Sequence, residues 1–350
     1  MRAMPNARSY AAFNAESPLG PHSLVRRDPG PYDVGIEILF CGVCHSDIHQ
    51  VRNEWGGSNY PMVPGHEIVG RVQSVGSAVS KFKVGDLAGV GCMVNACRAC
   101  VPCVQGFEQY CDNHISFTYN STEQDGTTRT HGGYSTFVTV AEAFTLKVDA
   151  ALPLDGVAPL LCAGITMFSP LRKWNAGKGT RLAVVGLGGL GHMGVKLGAA
   201  MGAEVTVVSS SDRKREDAAR LGAHDYLLSN DKRAMAAQAG RFDLVIDTVS
   251  ADHDLGQLAA LLRTDGTLVL VGAPEKSLPL HAFSLIPKRR SIAGSMIGGI
   301  AETQEMLDFC ATHKLVADVE TIAADQINTA YDRMLRGDVR YRFVIDASTI

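Results

Sequence analysis

The sequence has no long apolar segment of the kind that crosses a membrane or directs export. No run of about 18 apolar residues, the minimum for a transmembrane helix, occurs in its 350 residues. The opening stretch, MRAMPNARSYAAFNAESP, also lacks an apolar core of signal-peptide length. We therefore expect no membrane association and a cytoplasmic location.

An excess of positive charge is missing as well. Lys and Arg number 33 and Asp and Glu number 36, which gives a formal net charge of −3. No basic tail or stripe is present, so nucleic acid is not an expected partner. Because internal repeats and low-complexity segments are also absent, the composition fits an ordinary globular protein.

The chain is long enough for two domains, and its pattern changes near residue 154. Before that point, strand-like runs such as DVGIEILFCGVC predict a β-rich domain, with loops at residues 18–31 and 61–65. After it, apolar strands such as RLAVVG alternate with helix-like segments, which predicts a parallel sheet with helices on both faces. The C-terminal segment, residues 299–350, does not continue this alternation of parallel strands and helices. We therefore predict an α/β protein with a nucleotide domain at 154–298, inserted into a domain formed by 1–153 and 299–350.

A glycine-rich turn, GLGGLG, follows the strand RLAVV and opens a helix. This context makes a G-x-G-x-x-G pattern indicative of dinucleotide binding, since unpaired N–H groups at the helix start favour phosphates. The alternative is a turn with only a structural role. We add the end of a later strand, LVLVGA, to the predicted cofactor site. The predicted residues are Gly186, Gly188, Gly189, Leu190, Gly191, Val271 and Gly272.

The residues after the second strand of this unit favour NADP(H) over NAD(H). An NAD-selective site usually has Asp or Glu there to hold the ribose 2′-OH, but this stretch reads VVSSSDRK. Hydroxyl groups and cations suit a 2′-phosphate. The alternative is an ordinary helix start capped by Ser211 or Asp212, and both roles are compatible. The predicted 2′-phosphate contacts are Ser209, Ser210, Ser211, Arg213 and Lys214.

Nine cysteines in a chain without an export signal favour metal binding or free thiols over disulfides. Four of them lie in NACRACVPCVQGFEQYC, with the spacing C-x2-C-x2-C-x7-C: Cys97, Cys100, Cys103 and Cys111. This spacing alone fits a zinc site, an iron–sulfur cluster or disulfides.

A second set of metal-ligand types is spread along the chain as Cys44, His66 and Cys162. A catalytic zinc takes three protein ligands from Cys, His and carboxylate and keeps one position open. Each residue alone is more often structural, since a single cysteine usually packs as a small apolar side chain. Their joint occurrence beside a dinucleotide turn predicts a catalytic metal site.

Together these motifs resemble those of the zinc-dependent medium-chain alcohol dehydrogenases along nearly the whole chain. Within that family the chain is most similar to cinnamyl alcohol dehydrogenases and bacterial NADPH-dependent aldehyde reductases. The segments that carry the resemblance are CGVCHSDIH, YPMVPGHEIVG, LLCAGIT, GLGGLGHMGVK, VVSSSDRK and RYRFVID. The resemblance implies a GroES-like catalytic domain and a Rossmann nucleotide domain.

The resemblance also assigns roles to single residues. Cys44, His66 and Cys162 match the catalytic zinc ligands. Glu67 matches a carboxylate that approaches the metal during ligand exchange, and Asp47 matches an acid that orients the zinc histidine.

Four further positions follow from the same resemblance. Ser46 and His49 match a proton relay, and Thr166 and Arg340 match positions near the nicotinamide and the pyrophosphate. The four-cysteine segment matches a structural zinc lobe, so two Zn²⁺ per chain are expected. The remaining thiols are expected to be inert: Cys41, Cys92 and Cys310.

The implied activity is a reversible, zinc-dependent oxidation of primary alcohols or reduction of aldehydes with NADP(H), broad in range and including aromatic substrates. The segment RRSIAGSMIGG matches the edge strand through which relatives form homodimers. A zinc-free quinone reductase is a rival hypothesis, but it would lack the Cys44, His66 and Cys162 set. A non-catalytic NADPH-binding or redox-sensing protein should have lost a ligand or relay residue, and none is lost.

Trp55 is the weakest of the predicted site residues. It lies in QVRNEWGGSNYP, after the relay histidine, where relatives line the mouth of the substrate pocket. Its indole could stack on an aromatic substrate. The alternative is a loop tryptophan that packs on its neighbours.

Overall fold

The structure is a computed structural model that describes residues 6–274 and 276–350. The chain forms two compact units. Unit 1 contains the chain up to Cys162 together with Gly298–Ile350, and unit 2 is Ala163–Ile297. The domain limits inferred from sequence, at 153/154 and 298/299, stay a prediction about where the functional domains divide.

The described residues form strands and helices with the following bounds. The strands are β1 Asn6–Ala11, β2 Gly20–Val25, β3 Asp33–Val43, β4 Ile68–Val75, β5 Leu87–Val90, β6 Met93–Ala96, β7 Ile115–Phe117, β8 Phe137–Ala141, β9 Leu146–Lys147, β10 Arg181–Val185, β11 Glu204–Ser209, β12 Asp225–Leu228, β13 Phe242–Asp247, β14 Leu262–Leu270, β15 Ser291–Gly294, β16 Val319–Ile322 and β17 Arg342–Asp346. The helices are α1 His45–Val51, α2 Val101–Val104, α3 Leu154–Val157, α4 Ala163–Lys173, α5 Gly189–Ala200, α6 Arg215–Leu221, α7 Lys232–Ala237, α8 Leu255–Leu261, α9 Ile300–His313 and α10 Ile327–Leu335. Short 3₁₀ turns cover Glu108–Tyr110, Glu142–Phe144, Ala158–Leu161, Asp212–Lys214, Ala282–Ser284, Ile286–Lys288, Ala324–Gln326 and Ala347–Thr349.

Unit 1 is built around a seven-stranded sheet in the order β16-β17-β3-β4-β5-β9, with β8 also paired to β3. The long strand β3 is its centre and buries Val34, Ile36 and Ile38. Strand β17 pairs antiparallel with the end of β3, so that Phe343 lies opposite Val43. The C-terminal tail therefore completes the sheet at the point where the chain reaches Cys44.

The expected loop at residues 18–31 is wrong for part of its length. Strand β2, Gly20–Val25, pairs antiparallel with β1, and Pro21 lies opposite Tyr10. Proline cannot donate to a ladder, but a two-stranded sheet leaves one side of each strand free for it. The prolines in residues 18–31 are therefore compatible with the edge strand β2 and do not require a loop there.

Unit 2 contains a six-stranded parallel sheet in the order β12-β11-β10-β13-β14-β15. In order along the chain this is 3-2-1-4-5-6, the order of a doubly wound dinucleotide-binding sheet. Its core joins strand residues such as Ala183, Val208 and Val245 to Leu258 of α8. The predicted α/β fold class is confirmed.

No single helix among the described residues is long and apolar enough to span a membrane. The bent pair Leu154–Leu161 and Ala163–Lys173 meets the criterion only when its two segments are counted together, by length and composition.

Candidate active site

Helix α1 presents the first metal-ligand candidate at its N-terminus. Cys44 is the N-cap residue, and its backbone N–H donates to the Asp47 carboxylate at 2.9 Å. This reciprocal pattern resembles a capping box, in which the N3 side chain satisfies the N-cap N–H. The cap fixes the start of α1 and directs Asp47 into the interior, where its exposed fraction is 0%.

Four potential ligand atoms converge beside this helix. One ligand atom each from Cys44, His66, Glu67 and Cys162 lies within 4.8 Å of all the others, and all four residues are buried. The Cys44 and Cys162 sulfur atoms are 3.9 Å apart. Two thiolates on one tetrahedral zinc, with bonds of about 2.3 Å, would have sulfur atoms about 3.8 Å apart. The spacing therefore fits a shared ion, whereas a disulfide requires about 2.05 Å.

The predicted orienting acid contacts the predicted zinc histidine. His66 Nδ1 lies 3.2 Å from Asp47 Oδ1, which favours the tautomer that leaves Nε2 available to a metal. The ring of Tyr119 stacks on the imidazole, with centroids 5.8 Å apart and planes at 21°. The His66 ring is therefore held both at its edge and on its face.

The contact between the two thiols favours a thiolate at Cys44. A hydrogen bond from Cys162 lowers the pKa of Cys44 well below its ordinary value, against burial and with help from the charge of Arg342. The same contact raises the pKa of Cys162. Two buried thiols that share one proton are a donor set that a divalent cation would complete, because metal ligation requires both to be thiolates.

Glu67 makes a buried ion pair that the sequence analysis missed. The Arg342 guanidinium donates to Glu67 Oε1 and, at 3.0 Å, to the Val43 carbonyl oxygen. The other carboxylate oxygen, Oε2, has no hydrogen-bond partner among the described residues. Burial raises the pKa of Glu67, whereas the charge of Arg342 opposes this and favours the carboxylate form. Glu67 thus has one paired and one unpaired oxygen, and one of its two oxygens lies within 4.8 Å of the other ligand atoms.

Gly42 makes room for this carboxylate. A Cβ built on Gly42 would lie 1.9 Å from Glu67 Oε2, closer than any real contact. The signal for Arg342 was a charged residue at a buried position of the strand RYRFVID, but sequence alone could not supply its partner. Arg340, the residue singled out there, lies with its guanidinium 6.0 Å from the ring centroid of Tyr341.

Cys92 lies closer to the metal-ligand candidates than expected of an inert thiol. Its sulfur is 3.8 Å from the Leu161 carbonyl oxygen. A hydrogen bond with Cys162 and then the charge of His66 lower its pKa, against burial. Its inert role stays a prediction.

The two predicted relay residues have different surroundings. Ser46 is half-buried, with its hydroxyl oxygen 3.6 Å from Cys44 Sγ. His49 Nδ1 pairs with the Glu54 carboxylate. The Trp55 indole stacks on the His49 ring, with centroids 4.8 Å apart and planes at 25°. The structure thus places Ser46 at the ligand cluster and holds His49 between an acid and an aromatic ring.

The four-cysteine lobe forms a second cluster. One sulfur atom each from Cys97, Cys100, Cys103 and Cys111 lies within 4.8 Å of the others. The Cys97–Cys103 and Cys100–Cys111 sulfur atoms are 3.9 and 3.8 Å apart, again the spacing of a tetrahedral metal site and not of disulfides.

Backbone N–H groups prepare this cluster for a cation. The Ala99 and Cys100 N–H groups and the Asn113 amide donate to Cys97 Sγ at 3.5, 3.4 and 3.2 Å. These bonds lower the pKa of Cys97 to about 5, so it is a thiolate at neutral pH. Burial and the neighbouring cysteines raise the pKa of Cys103 to about 12. A bound cation would supply the charge that lets all four ionise together.

The glycine turn of unit 2 has the form of a phosphate cradle. Gly186 has a φ of 87°, and a Cβ on Gly191 would lie 1.9 Å from the Gly186 carbonyl oxygen. A Cβ on Gly188 would meet nothing within 4 Å, so open space lies beside the turn. No side chain caps α5, which leaves its first N–H groups for an anion. The N–H groups of Val271 and Gly272 donate to the Asp247 carbonyl oxygen at 3.0 Å, at the same edge of the sheet.

The serine and cation cluster follows β11 at the carboxyl edge of the sheet. The Ser211 hydroxyl accepts from the Arg213 N–H at 3.2 Å, so the helix-start role is present. Lys214 Nζ donates to the Leu187 carbonyl oxygen at 2.8 Å, which ties this cluster to the glycine turn. Ser209, Ser210 and Arg213 are half-buried or exposed. Thr166 lies buried in α4.

The doubly wound sheet with a glycine turn, together with a buried Cys-His-Cys set in a β-rich unit, defines a metal-dependent dehydrogenase that binds a dinucleotide. Two family descriptions match the chain: "Alcohol dehydrogenase GroES-like domain" over residues 30–150 and "Zinc-binding dehydrogenase" over residues 189–312. The second description names zinc as the metal that this family binds.

Known proteins match nearly the whole chain. It is 57% identical over 347 residues to "NADP-dependent alcohol dehydrogenase C" of Mycobacterium bovis, covering 99% of this chain and 100% of that protein. It is 56% identical to "Aldehyde reductase YahK" of Escherichia coli, covering 98% and 99%. The solved cinnamyl alcohol dehydrogenase SbCAD4 of Sorghum bicolor is 47% identical, with a TM-score of 0.96 and 98% of each chain covered. The chain belongs to the zinc-binding alcohol dehydrogenase family, and the predicted family resemblance is confirmed.

Proposed function

We propose that the chain is a zinc-dependent, NADPH-preferring alcohol dehydrogenase and aldehyde reductase. The observation that carries this proposal is the convergence of four buried ligand atoms, from Cys44, His66, Glu67 and Cys162, within 4.8 Å. The M. bovis and E. coli relatives are named for the same two directions of one reaction. The reaction is hydride exchange between a nicotinamide cofactor and a primary alcohol or aldehyde.

The chain's own residues have separate tasks at the metal centre. Cys44, His66 and Cys162 would hold the catalytic zinc, and the four lobe cysteines the structural one. When bound, the catalytic ion acts as a Lewis acid on the substrate oxygen. Asp47 keeps His66 oriented through the 3.2 Å contact at Nδ1. Glu67, with one unpaired oxygen, is placed to approach the metal when ligands exchange.

Proton movement is assigned to Ser46 and His49. A hydroxyl both donates and accepts, which suits the inner position that Ser46 occupies near Cys44. A histidine suits the outer position because its charge changes near neutral pH. The Glu54 carboxylate at Nδ1 fixes the ring of His49.

The preference for NADPH rests on the end of β11. Ser209 occupies the position at which a carboxylate would hold the ribose of NAD(H), and Arg213 and Lys214 follow it. Phosphate oxygens prefer such hydroxyl and cationic partners, whereas a carboxylate would repel them. Gly186, Gly188 and Gly191 form the turn for the pyrophosphate.

For the substrate we propose a broad range of primary alcohols and aldehydes that includes aromatic ones such as cinnamaldehyde. The likeness to the sorghum cinnamyl alcohol dehydrogenase supports this range. Trp55 is 45% exposed and stacks one face on His49. Its contribution to the substrate pocket stays a prediction.

We propose a cytoplasmic homodimer. Strand β15 pairs only with β14 among the described residues, and Ile292 on this edge is 37% exposed. An open apolar sheet edge is usually covered by another strand. The nine cysteines include none in a disulfide, and two thiolate clusters need a reducing compartment.

The test is NADPH oxidation with cinnamaldehyde and benzaldehyde, compared with NADH and repeated after zinc chelation. We expect turnover that prefers NADPH and stops when zinc is removed, with two zinc ions per chain. Turnover with NADH alone would contradict the Ser209 argument only. Absence of turnover with either cofactor, over a wide aldehyde panel and with both zinc ions bound, would favour the non-catalytic alternative.

A further inference from the structure

Asp47 is a fully buried carboxylate whose hydrogen bonds come from four directions. Oδ1 accepts from His66 Nδ1 at 3.2 Å and from the Gly65 N–H at 3.3 Å. Oδ2 accepts from the Cys44 N–H at 2.9 Å and from the Tyr134 hydroxyl at 3.1 Å. A carboxylate offers about four lone-pair sites, so these four donors occupy both of its oxygens. The Tyr134 hydroxyl is the most distant of the four in sequence.

Tyr134 is itself held by a second tyrosine. The Tyr331 hydroxyl donates to the Tyr134 hydroxyl oxygen at 3.4 Å, across 197 residues of sequence. Both side chains are buried, and Tyr331 belongs to α10 in the C-terminal part of unit 1. Because Tyr331 donates, the Tyr134 proton is directed toward Asp47. A continuous chain of hydrogen bonds therefore runs from α10 through two hydroxyls and one carboxylate to His66.

The surrounding backbone is shaped to admit this chain. Gly65, next to His66, has a φ of 102°, and a Cβ there would lie 2.6 Å from Tyr134 Cδ1. Burial, followed by the charge of Asp47, raises the pKa of Tyr134 and of Tyr331 well above the ordinary value. Both hydroxyls therefore remain protonated donors over the working pH range.

We propose that Tyr134 and Tyr331 are positioning residues of the metal centre, which fix the Asp47 carboxylate and through it the imidazole of His66. The inference rests on the zinc site of the proposed function and extends it to the C-terminal helix. Without the Tyr134 hydroxyl, Oδ2 would lose one of its hydrogen-bond donors, and the carboxylate would be less firmly fixed in rotation about its Cβ–Cγ bond. The His66 ring would then lose the partner that sets its tautomer and direction.

The predicted effect is on metal affinity. Residues that support a metal-ligating histidine typically contribute about 10–100-fold to affinity. We expect Tyr134→Phe to weaken zinc binding at the catalytic site by a factor in this range, and Tyr331→Phe by a smaller factor. The structural lobe should be unaffected, because its ligands are fixed by N–H groups of residues 99, 100 and 112.

The experiment is a chelator competition that follows zinc release from the purified zinc-loaded enzyme. The phase of release that disappears in Cys44→Ser is assigned to the catalytic site and is called the catalytic phase. The matched control is Tyr226→Phe, which removes a buried hydroxyl that donates to the Ser211 carbonyl oxygen at 2.5 Å in unit 2. A double-mutant cycle with Asp47→Asn provides a second readout. In that background Tyr134→Phe should have little further effect on affinity, because the carboxylate through which it acts is gone.

Two results would overturn the inference. One is equal catalytic-site affinity in Tyr134→Phe and Tyr226→Phe; the other is an effect of Tyr134→Phe that adds fully to that of Asp47→Asn. If Tyr134→Phe does not fold, Tyr331→Phe is carried through the same cycle with the same criteria. Failure of the proposed function would be seen in the wild-type chain, as the absence of zinc from the catalytic phase. Failure of the inference alone would be seen only in the variants, with zinc present in the wild type.

Discussion

At the residue scale, the buried charge balance beside the metal centre depends on Arg342. It donates to Glu67 and to the Val43 carbonyl oxygen, and its side chain is 5% exposed. Removal of one partner from a buried pair typically costs about 3–5 kcal/mol, because the other charge is left without compensation. We expect Arg342→Met to lower the free energy of unfolding by about that amount, as measured by urea denaturation.

Two comparisons separate this effect from a general loss of charge. Adding Glu67→Gln to Arg342→Met should recover part of the loss, since it removes the uncompensated carboxylate. Arg289→Met, which breaks a surface pair with Asp265 at 2.7 Å, should leave unfolding nearly unchanged. Equal losses for the two arginine variants would contradict the role assigned to Arg342.

His131 gives the molecule a defined pH dependence. Burial, followed by the charges of Arg26, Arg129 and His22, lowers its pKa to about 4 from the ordinary 6.5. The unfolded chain therefore binds more protons between those values, and stability is lost as pH falls through this window. For a partly exposed side chain we expect about 1–2 kcal/mol of this loss between pH 7 and pH 5.

The free energy of unfolding in urea, measured at pH 7 and pH 5, should fall less for His131→Gln than for the parent. The difference should equal the contribution assigned to His131. Zinc loss on acidification affects both proteins, so the difference between them isolates His131. Between pH 7 and pH 8.5 the free energies of unfolding of the parent and the variant should differ by a constant amount, because His131 is neutral in the folded and the unfolded chain. A variant with the full acid sensitivity of the parent would show that the loss arises elsewhere.

At the element scale, the lobe from Cys97 to Cys111 has little core of its own. Its helix, α2, is four residues long, and Val101 and Val104 are 67% and 74% exposed. A structural zinc would therefore supply most of the order of this segment. We expect Cys103→Ser to hold one zinc per chain instead of two and to be cleaved by protease within residues 97–117.

The matched control for the lobe is Cys310→Ser, which alters a buried thiol that lies 3.7 Å from Met306 Sδ within α9. It should keep both zinc ions and the protease resistance of the parent. Elemental analysis and limited proteolysis give the two readouts. Two zinc ions in Cys103→Ser would show that the lobe cysteines are not metal ligands.

The elements of unit 2 could be predicted because each carries its own signal. The strand RLAVV, the turn GLGGLG and the uncapped helix after it are all local. Strand β2 was predicted as a loop, since its proline matters only once the position of the strand in the sheet is known. Helix α4 received no assignment; it is almost wholly buried and contains Pro170, so neither amphipathic periodicity nor propensity marks it.

The candidate metal ligands could be predicted from motifs, but their supporting contacts could not. Glu67 and Arg342 are 275 residues apart, and Tyr134 and Tyr331 are 197 apart. No local pattern indicates such partners, because tertiary folding alone brings them together. The sequence likewise contained no reason to place Cys92 beside Cys162.

At the scale of the whole molecule, the exposed edge of β15 predicts the state of assembly. A lysine at Ile292 would place a charge on an apolar strand edge, which is a known way to prevent edge-to-edge pairing. By light scattering, we expect the parent to be a dimer and Ile292→Lys to be a monomer. Val84→Lys, at a 60% exposed valine of unit 1, is the control and should remain dimeric. A dimeric Ile292→Lys variant would place the interface elsewhere.

The pairing of β17 with β3 has a consequence for how the protein is made. On the ribosome, the segment that carries Cys44, His66 and Cys162 emerges first, and the whole of unit 2 follows before Arg342 is synthesised. Until then the nascent chain holds Glu67 without its counter-ion and β3 with an open edge. Unit 2 contains every strand of its own sheet and can fold during translation. We expect unit 1, by contrast, to reach its final structure only after its C-terminal segment has left the ribosome.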